Sequence, residues 1–263
     1  MNYNGLKRAA RVCLRDNGTP YRKLTLLFLL CLCAFSIPCD VIIWLLDSQL
    51  ERLTGLGSMT ERNRIVLWSL VISVLASLAS SLWGVGYQAL ALRLSRAENV
   101  SFRTFTIPFR QFDRFLLLLL LEGVLIFLWS MLFMIPGIIA AYRYRMAVYA
   151  MLDDPSLSVT EALDASKRLT YGHKLDLFIL DLSFLWYLLP LFIFSSLTMA
   201  PDFFPVLSGI GNQMILYAAS LVSTMLWQRA FMPYETVTMA HAFNWLQRLD
   251  RSRREAVSGG WRE

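Results

Sequence analysis

Five long apolar stretches dominate the chain: 24–46, 65–91, 115–135, 175–199 and about 211–232. Each reaches or approaches the roughly 20 residues that an α-helix needs to cross the ~30 Å hydrocarbon core of a bilayer. Segments of about ten residues that alternate apolar and polar positions do not occur, which excludes a membrane barrel. Between the stretches lie short helical signals. Residues 3–16, with Leu6, Ala9, Ala10, Val12 and Cys13 set among basic positions, predict an amphipathic helix on an anionic membrane surface, ending at Asn17-Gly18-Thr19-Pro20. Ser158-Val159-Thr160-Glu161 is a capping box that predicts a helix through Leu169, because serine and glutamate can satisfy each other's free N–H groups. A last helix is expected from Tyr234 to about Leu249, after a kink at Pro233.

Composition agrees with this pattern. Of 263 residues, 56% are hydrophobic and 17% charged, and the mean hydropathy is +0.49, far from the soluble balance of about a quarter charged. The run 24–46 is too long for a signal peptide and no small-residue cleavage site follows it, so it is expected to stay in the membrane. Cys31, Cys33 and Cys39 fall in this run and Cys13 in the basic segment before it, which suits free, buried thiols.

The placement of Lys and Arg orients the spans, because short cytoplasmic loops carry the excess. Residues 1–23 hold six, Lys7, Arg8, Arg11, Arg15, Arg22 and Lys23. Loop 47–64 balances three arginines with three acids, loop 93–114 has five arginines, and loop 200–210 has none. The tail carries Arg248, Arg251, Arg253, Arg254 and Arg262, and loop 153–174 carries Lys167, Arg168 and Lys174. With both termini cytoplasmic, the stretch between Arg114 and Asp153 must cross twice, turning at Pro136-Gly137. Its second arm, 137–152, has 16 residues and reaches only about 24 Å. The rival reading lays 137–152 along the interface and makes 115–135 re-entrant. The expectation is therefore an all-α, polytopic membrane helical bundle of about six transmembrane helices with cytoplasmic termini. It divides into a segment 1–23, a membrane domain 24–232, and a C-terminal helix with a basic tail, 233–263.

Leu128-Trp129, Ile135-Pro136-Gly137-Ile138-Ile139, Tyr144, Tyr149, Asp153 or Asp154 with Pro155, Ala162, Ser166, Gly172, Lys174, Leu177-Phe178 and Leu182-Ser183-Phe184 form a block with a familiar spacing. It resembles the bacterial integral-membrane domain-of-unknown-function 975 family, similar in type to the membrane domain found beside some glycerophosphodiester phosphodiesterases. Lys7, Ala9 and Pro233-Tyr234 also fit. One departure is visible, since Leu185 leads directly into Trp186 where the family tends to place a glycine. The resemblance implies a bundle of about six helices in a bacterial cytoplasmic membrane and no established activity.

Ionisable groups at membrane depth cost about 3 kcal/mol each on insertion scales, so each needs a partner or a role. The candidates are Asp40, Glu122, Arg143, Arg145, Asp181 and Arg229, with Tyr144 as a possible cavity hydrogen-bonder. Arg143 and Arg145 lie about 200° apart on a helix, so one should point inward and the other toward the interface. The inward arginine either pairs with Glu122 or Asp181 for structure alone, or binds an anionic head group or a carboxylate with its guanidinium fork. Ser73, Ser77 and Ser81, and likewise Ala76, Ser80 and Gly84, recur every four residues, a spacing for close helix packing or a dimer face.

Enzyme chemistry finds little support. His173 and His241 are the only histidines, and no metalloprotease, nucleophile-elbow or phosphate-loop motif occurs. No cofactor is expected. The net charge of +6 belongs to residues beside the spans, which argues for positive-inside placement over nucleic acid. Two functions remain open. One is a permease-like or lipid-handling module that holds an anionic lipid or small molecule in an intramembrane polar cluster. The other is a structural, accessory or immunity-type partner with its charges fully paired. The expected partners are the bilayer, such a ligand, and a second copy or another membrane protein.

Overall fold

The computed structural model describes residues 1–52, 59–196 and 210–259, which are mostly helical and contain no strand. The helices of the described residues are, in order, α1 (Tyr3–Arg52), α2 (Met59–Ser95), α3 (Phe102–Phe105), α4 (Ile107–Arg110), α5 (Phe112–Leu132), α6 (Met134–Tyr144), α7 (Ala147–Asp153), α8 (Val159–Leu169), α9 (Lys174–Leu182), α10 (Leu185–Ser196) and α11 (Ile210–Gly259). Among the described residues, three helices are long and apolar enough to cross a membrane, within Pro20–Leu46, Thr60–Ser95 and Phe112–Leu132. A fourth arises if α9 and α10, bent by 50° ahead of Pro190, count as one span. Stretch 211–232 is the leading part of α11, outside that group, and 137–152 is divided between α6 and α7. The expected loop 200–210 lies almost wholly outside the described residues.

α1 corrects one expectation. The helix does not stop at residues 17–20 but runs on through Pro20 and Pro38. A proline inside a helix removes one backbone hydrogen bond and costs about 3 kcal/mol. Packing on both sides of Pro20 offsets it: Ala10, Tyr21, Phe28 and Leu29 are fully or almost fully buried. Tyr21 lies against Tyr87 of α2 with ring centroids 5.3 Å apart, and the Thr25 hydroxyl is 2.9 Å from the Tyr87 hydroxyl. The segment 3–16 thus packs on protein along one face. Lys7 Nζ donates to the Ser183 carbonyl at 3.1 Å, and Cys13 Sγ lies 3.0 Å from the Leu94 carbonyl. All four cysteines are unpaired.

The core sits at one end of the bundle, where α1, the second half of α2, α7 to α9 and the second half of α11 meet around Tyr87, Leu90, Met146, Leu177, Val237 and Phe243. A second cluster joins Leu82, Val85, Phe115, Leu118, Ala147, Met151 and Leu163. The other ends of the long helices leave Trp44, Leu67, Trp68, Leu75, Phe127, Met131 and Leu132 exposed, as helices surrounded by hydrocarbon should. Ser73, Ser77 and Ser81 are exposed too, and the hydroxyls of Ser73 and Ser81 bond back to the carbonyls of Ser69 and Ser77, each at 2.8 Å.

The turn between α5 and α6 falls earlier than expected. Phe133, in extended conformation at φ −159° and ψ 153°, separates the two helices, and Pro136 sits in the first turn of α6, where its missing N–H costs little. Gly137 serves close approach rather than the bend. A Cβ there would lie 2.2 Å from Ser130 Oγ and 2.8 Å from Ser130 Cα. The capping box at Ser158 forms as expected, with Ser158 N donating to Glu161 Oε2 at 2.7 Å and Glu161 N to Ser158 Oγ at 3.3 Å. These bonds hold the Glu161 carboxyl below its usual range.

Candidate functional site

The break between α6 and α7 positions the polar cluster. Helical bonding lapses around Arg145 and Met146, which would leave backbone groups unpaired in the core. Ser166 of α8, fully buried, bridges the gap. Its hydroxyl accepts from Met146 N at 3.1 Å and donates to the Arg143 carbonyl at 2.8 Å. Thr170 Oγ1 donates to the same carbonyl at 3.3 Å.

Arg145 is the inward arginine. Its guanidinium pairs with Asp181 Oδ2 of α9, and the same oxygen accepts the Tyr142 hydroxyl at 2.8 Å. The two side chains retain 30% and 25% exposure, so the pair is shielded rather than fully enclosed. Glu122 of α5 and Glu235 of α11 lie within electrostatic reach of Arg145. One arginine therefore stands among three carboxyl groups drawn from α5, α9 and α11, of which Asp181 is the one paired with it.

The other candidates lie elsewhere. Arg143 turns toward α8, with Cζ 5.8 Å from the Tyr144 ring and its charge acting on Asp164. Tyr144 is 4% exposed and packs in the second core cluster, where Lys167 Nζ also faces its ring at 5.9 Å. Arg229 is exposed on α11. Asp40, exposed on α1, accepts the Tyr217 hydroxyl at 2.9 Å and so ties α1 to α11 away from Arg145. The structure thus brings together Arg145, Asp181 and Glu122 of the expected set, and leaves Arg143, Arg229, Asp40 and Tyr144 outside.

Two features escaped the sequence reading. Glu235 was not among the intramembrane candidates, although it directly follows the Pro233-Tyr234 pair. The second is a network at the end of α2. Arg96 pairs with Asp153 and donates to Asn244 Oδ1 at 3.1 Å and Gln247 Oε1 at 3.3 Å. Gln247 Nε2 returns to Asp153 Oδ2 at 2.6 Å. It fastens α2, α7 and α11 through residues more than 50 positions apart, which no local pattern reveals. Among the described residues no group of histidine, cysteine, aspartate and glutamate side chains could hold a metal ion.

An all-helical chain with several apolar helices fit to span a bilayer, fastened by charged networks, is the class of protein that fold and site define. The family model described as "Protein of unknown function (DUF975)" matches residues 131–247, and over that stretch the chain is similar to the family. The matched region contains Tyr142, Arg145, Ser166, Asp181 and Glu235. No curated protein and no solved structure matches the chain, so nothing supports the likeness to the membrane domain beside glycerophosphodiester phosphodiesterases.

Proposed function

We propose that the chain is a non-catalytic membrane protein whose polar cluster fastens the bundle, and that it acts as a structural or accessory partner in a bacterial cytoplasmic membrane. In this reading six segments cross or enter the bilayer with both termini cytoplasmic, as the distribution of Lys and Arg requires. One observation carries the role of the cluster: the Arg145 guanidinium is engaged by Asp181, with Glu122 and Glu235 nearby. An anion entering there would have to displace Asp181, which already occupies the guanidinium together with the Tyr142 hydroxyl, so the site is poorly suited to a phosphate or a substrate carboxylate. A partly buried ion pair of this kind fixes which helices meet, at a cost in desolvation that other hydrogen bonds must offset.

The test compares wild type with Arg145→Gln in lipid discs, by native mass spectrometry and thermal melting. The reading expects the variant to melt earlier and both proteins to carry the same small molecules. A specific anionic species bound to the wild type and lost from a variant of unchanged stability would overturn it, in favour of a permease-like module with a ligand in the cluster.

A further inference from the structure

A cleft of about 350 Å³ opens between α1, α10 and α11, lined by Arg11, Leu14, Arg22, Tyr187, Trp227, Ala230, Phe231 and Tyr234. Its position follows from helical spacing. Arg11 and Arg22, eleven residues apart, fall about 20° apart around α1 and so share one face. Trp227, Ala230, Phe231 and Tyr234 recur at intervals of three and four, forming one stripe on α11. Arg22 lies at the start of the apolar segment Pro20–Leu46 and Arg11 about two turns before it, so the cleft sits where a span emerges from hydrocarbon.

The lining carries two positive charges and no acid. Among the described residues neither guanidinium has a carboxylate partner, although Lys7 close by is engaged with the Ser183 carbonyl and Arg15 with Asp16. Arg11 is held over the Tyr234 ring, Cζ to centroid 5.2 Å, a contact that orients the guanidinium and leaves its N–H donors free. Tyr187 and Phe231 stack at 5.0 Å, and Trp227 Nε1 donates to the Tyr187 carbonyl at 2.7 Å, so the aromatic wall is fixed.

We propose that this cleft binds the phosphate of an anionic membrane phospholipid, with Arg11 and Arg22 on the head group and Tyr187, Trp227 and Phe231 against the glycerol and upper acyl chain. The site goes beyond the structural role of the Arg145 cluster and does not depend on it. Two unpaired guanidiniums call for an anion with several acceptor oxygens. The apolar wall at the edge of a span calls for that anion to carry a hydrocarbon part, which selects a lipid over a free phosphate ester.

The experiment measures binding of phosphatidylglycerol to the full chain in neutral detergent by native mass spectrometry. Four variants are compared with wild type: Arg11→Gln/Arg22→Gln; Ala230→Trp, which fills the cleft and keeps both charges; Arg8→Gln/Lys23→Gln, which removes the same charge from exposed positions outside it; and Arg145→Gln. The cleft variants should bind at least about tenfold more weakly, as expected for losing charge-assisted phosphate contacts. The Arg8/Lys23 pair and Arg145→Gln should bind as wild type does, and glycerol 3-phosphate should not compete. Equal weakening in the Arg8/Lys23 pair, unchanged binding in Ala230→Trp, or competition by glycerol 3-phosphate would each overturn the proposal. Helical content by circular dichroism confirms that each variant compared is folded.

Discussion

Replacing Gly137 with alanine should force α5 and α6 apart. The added Cβ would stand 2.8 Å from Ser130 Cα, against ordinary contact at 3.4–4 Å, so the backbones must separate by at least about 0.6 Å. Ser130 Oγ, 2.2 Å away, can rotate, but Ser130 Cα cannot. Overpacking of this kind costs about 1–3 kcal/mol, while alanine returns about 0.5–1 kcal/mol over glycine within a helix. The net expectation is a loss of about 1 kcal/mol, within a range of about 0–2.5 kcal/mol. Gly84→Ala is the control: a Cβ there meets nothing within 4 Å, so only the helix gain of about 0.5–1 kcal/mol remains. Equilibrium unfolding in mixed SDS and lipid micelles, followed by tryptophan fluorescence, reads both. Ser130→Gly should rescue Gly137→Ala only in part, because it removes Oγ and Cβ but leaves Cα in place. If Gly137→Ala is as benign as Gly84→Ala, the close approach of α5 and α6 is wrong.

Ser166→Ala should cost about 2–3 kcal/mol, since it strands the Met146 N–H and weakens the satisfaction of the Arg143 carbonyl in a fully buried setting; hydrogen exchange should show the lost protection at Met146 first. His241 gives a pH dependence. Burial, and to a lesser degree Arg248, hold its imidazole below the ordinary 6.5, and its Nε2 has no partner. The unfolded chain then binds the proton first, so the stability tied to His241 is complete above about pH 6.5 and drains away as pH falls below it. His241→Gln should flatten that part of the curve between about pH 7.5 and 5.5; an unchanged slope in the variant would remove His241 as the cause.

The apolar stretches announced the long helices because a span must be both long and almost uncharged, a signal few other structures produce. The capping box at Ser158 was legible for a similar reason, since it is contained within four residues. The continuation of α1 through Pro20 was not. Local breaker chemistry predicts an end there, and the burial of Ala10, Tyr21 and Phe28 against distant helices overrides it. Pro136-Gly137 was read as a bend, whereas the bend is at Phe133 and the glycine lets Ser130 approach. Spacing showed that Arg143 and Arg145 must diverge, but which of them turns inward depends on where α9 places Asp181. Glu235 and the Arg96 network depend on how α11 lies across the bundle, and that placement has no signature within any short window.

The role assigned to the polar cluster rests on the pairing of Arg145 with Asp181. A double-mutant cycle with Arg145→Met, Asp181→Asn and the double variant, by equilibrium unfolding in lipid, tests it most directly. With about a quarter of each side chain exposed, each single change should cost about 2–3 kcal/mol, between the values for surface and buried pairs. The coupling should be at least about 1 kcal/mol, so that the double variant is more stable than the two losses combined would allow. Single losses within about 0.5 kcal/mol of zero and no coupling would contradict the account, and would leave Arg145 free for a ligand.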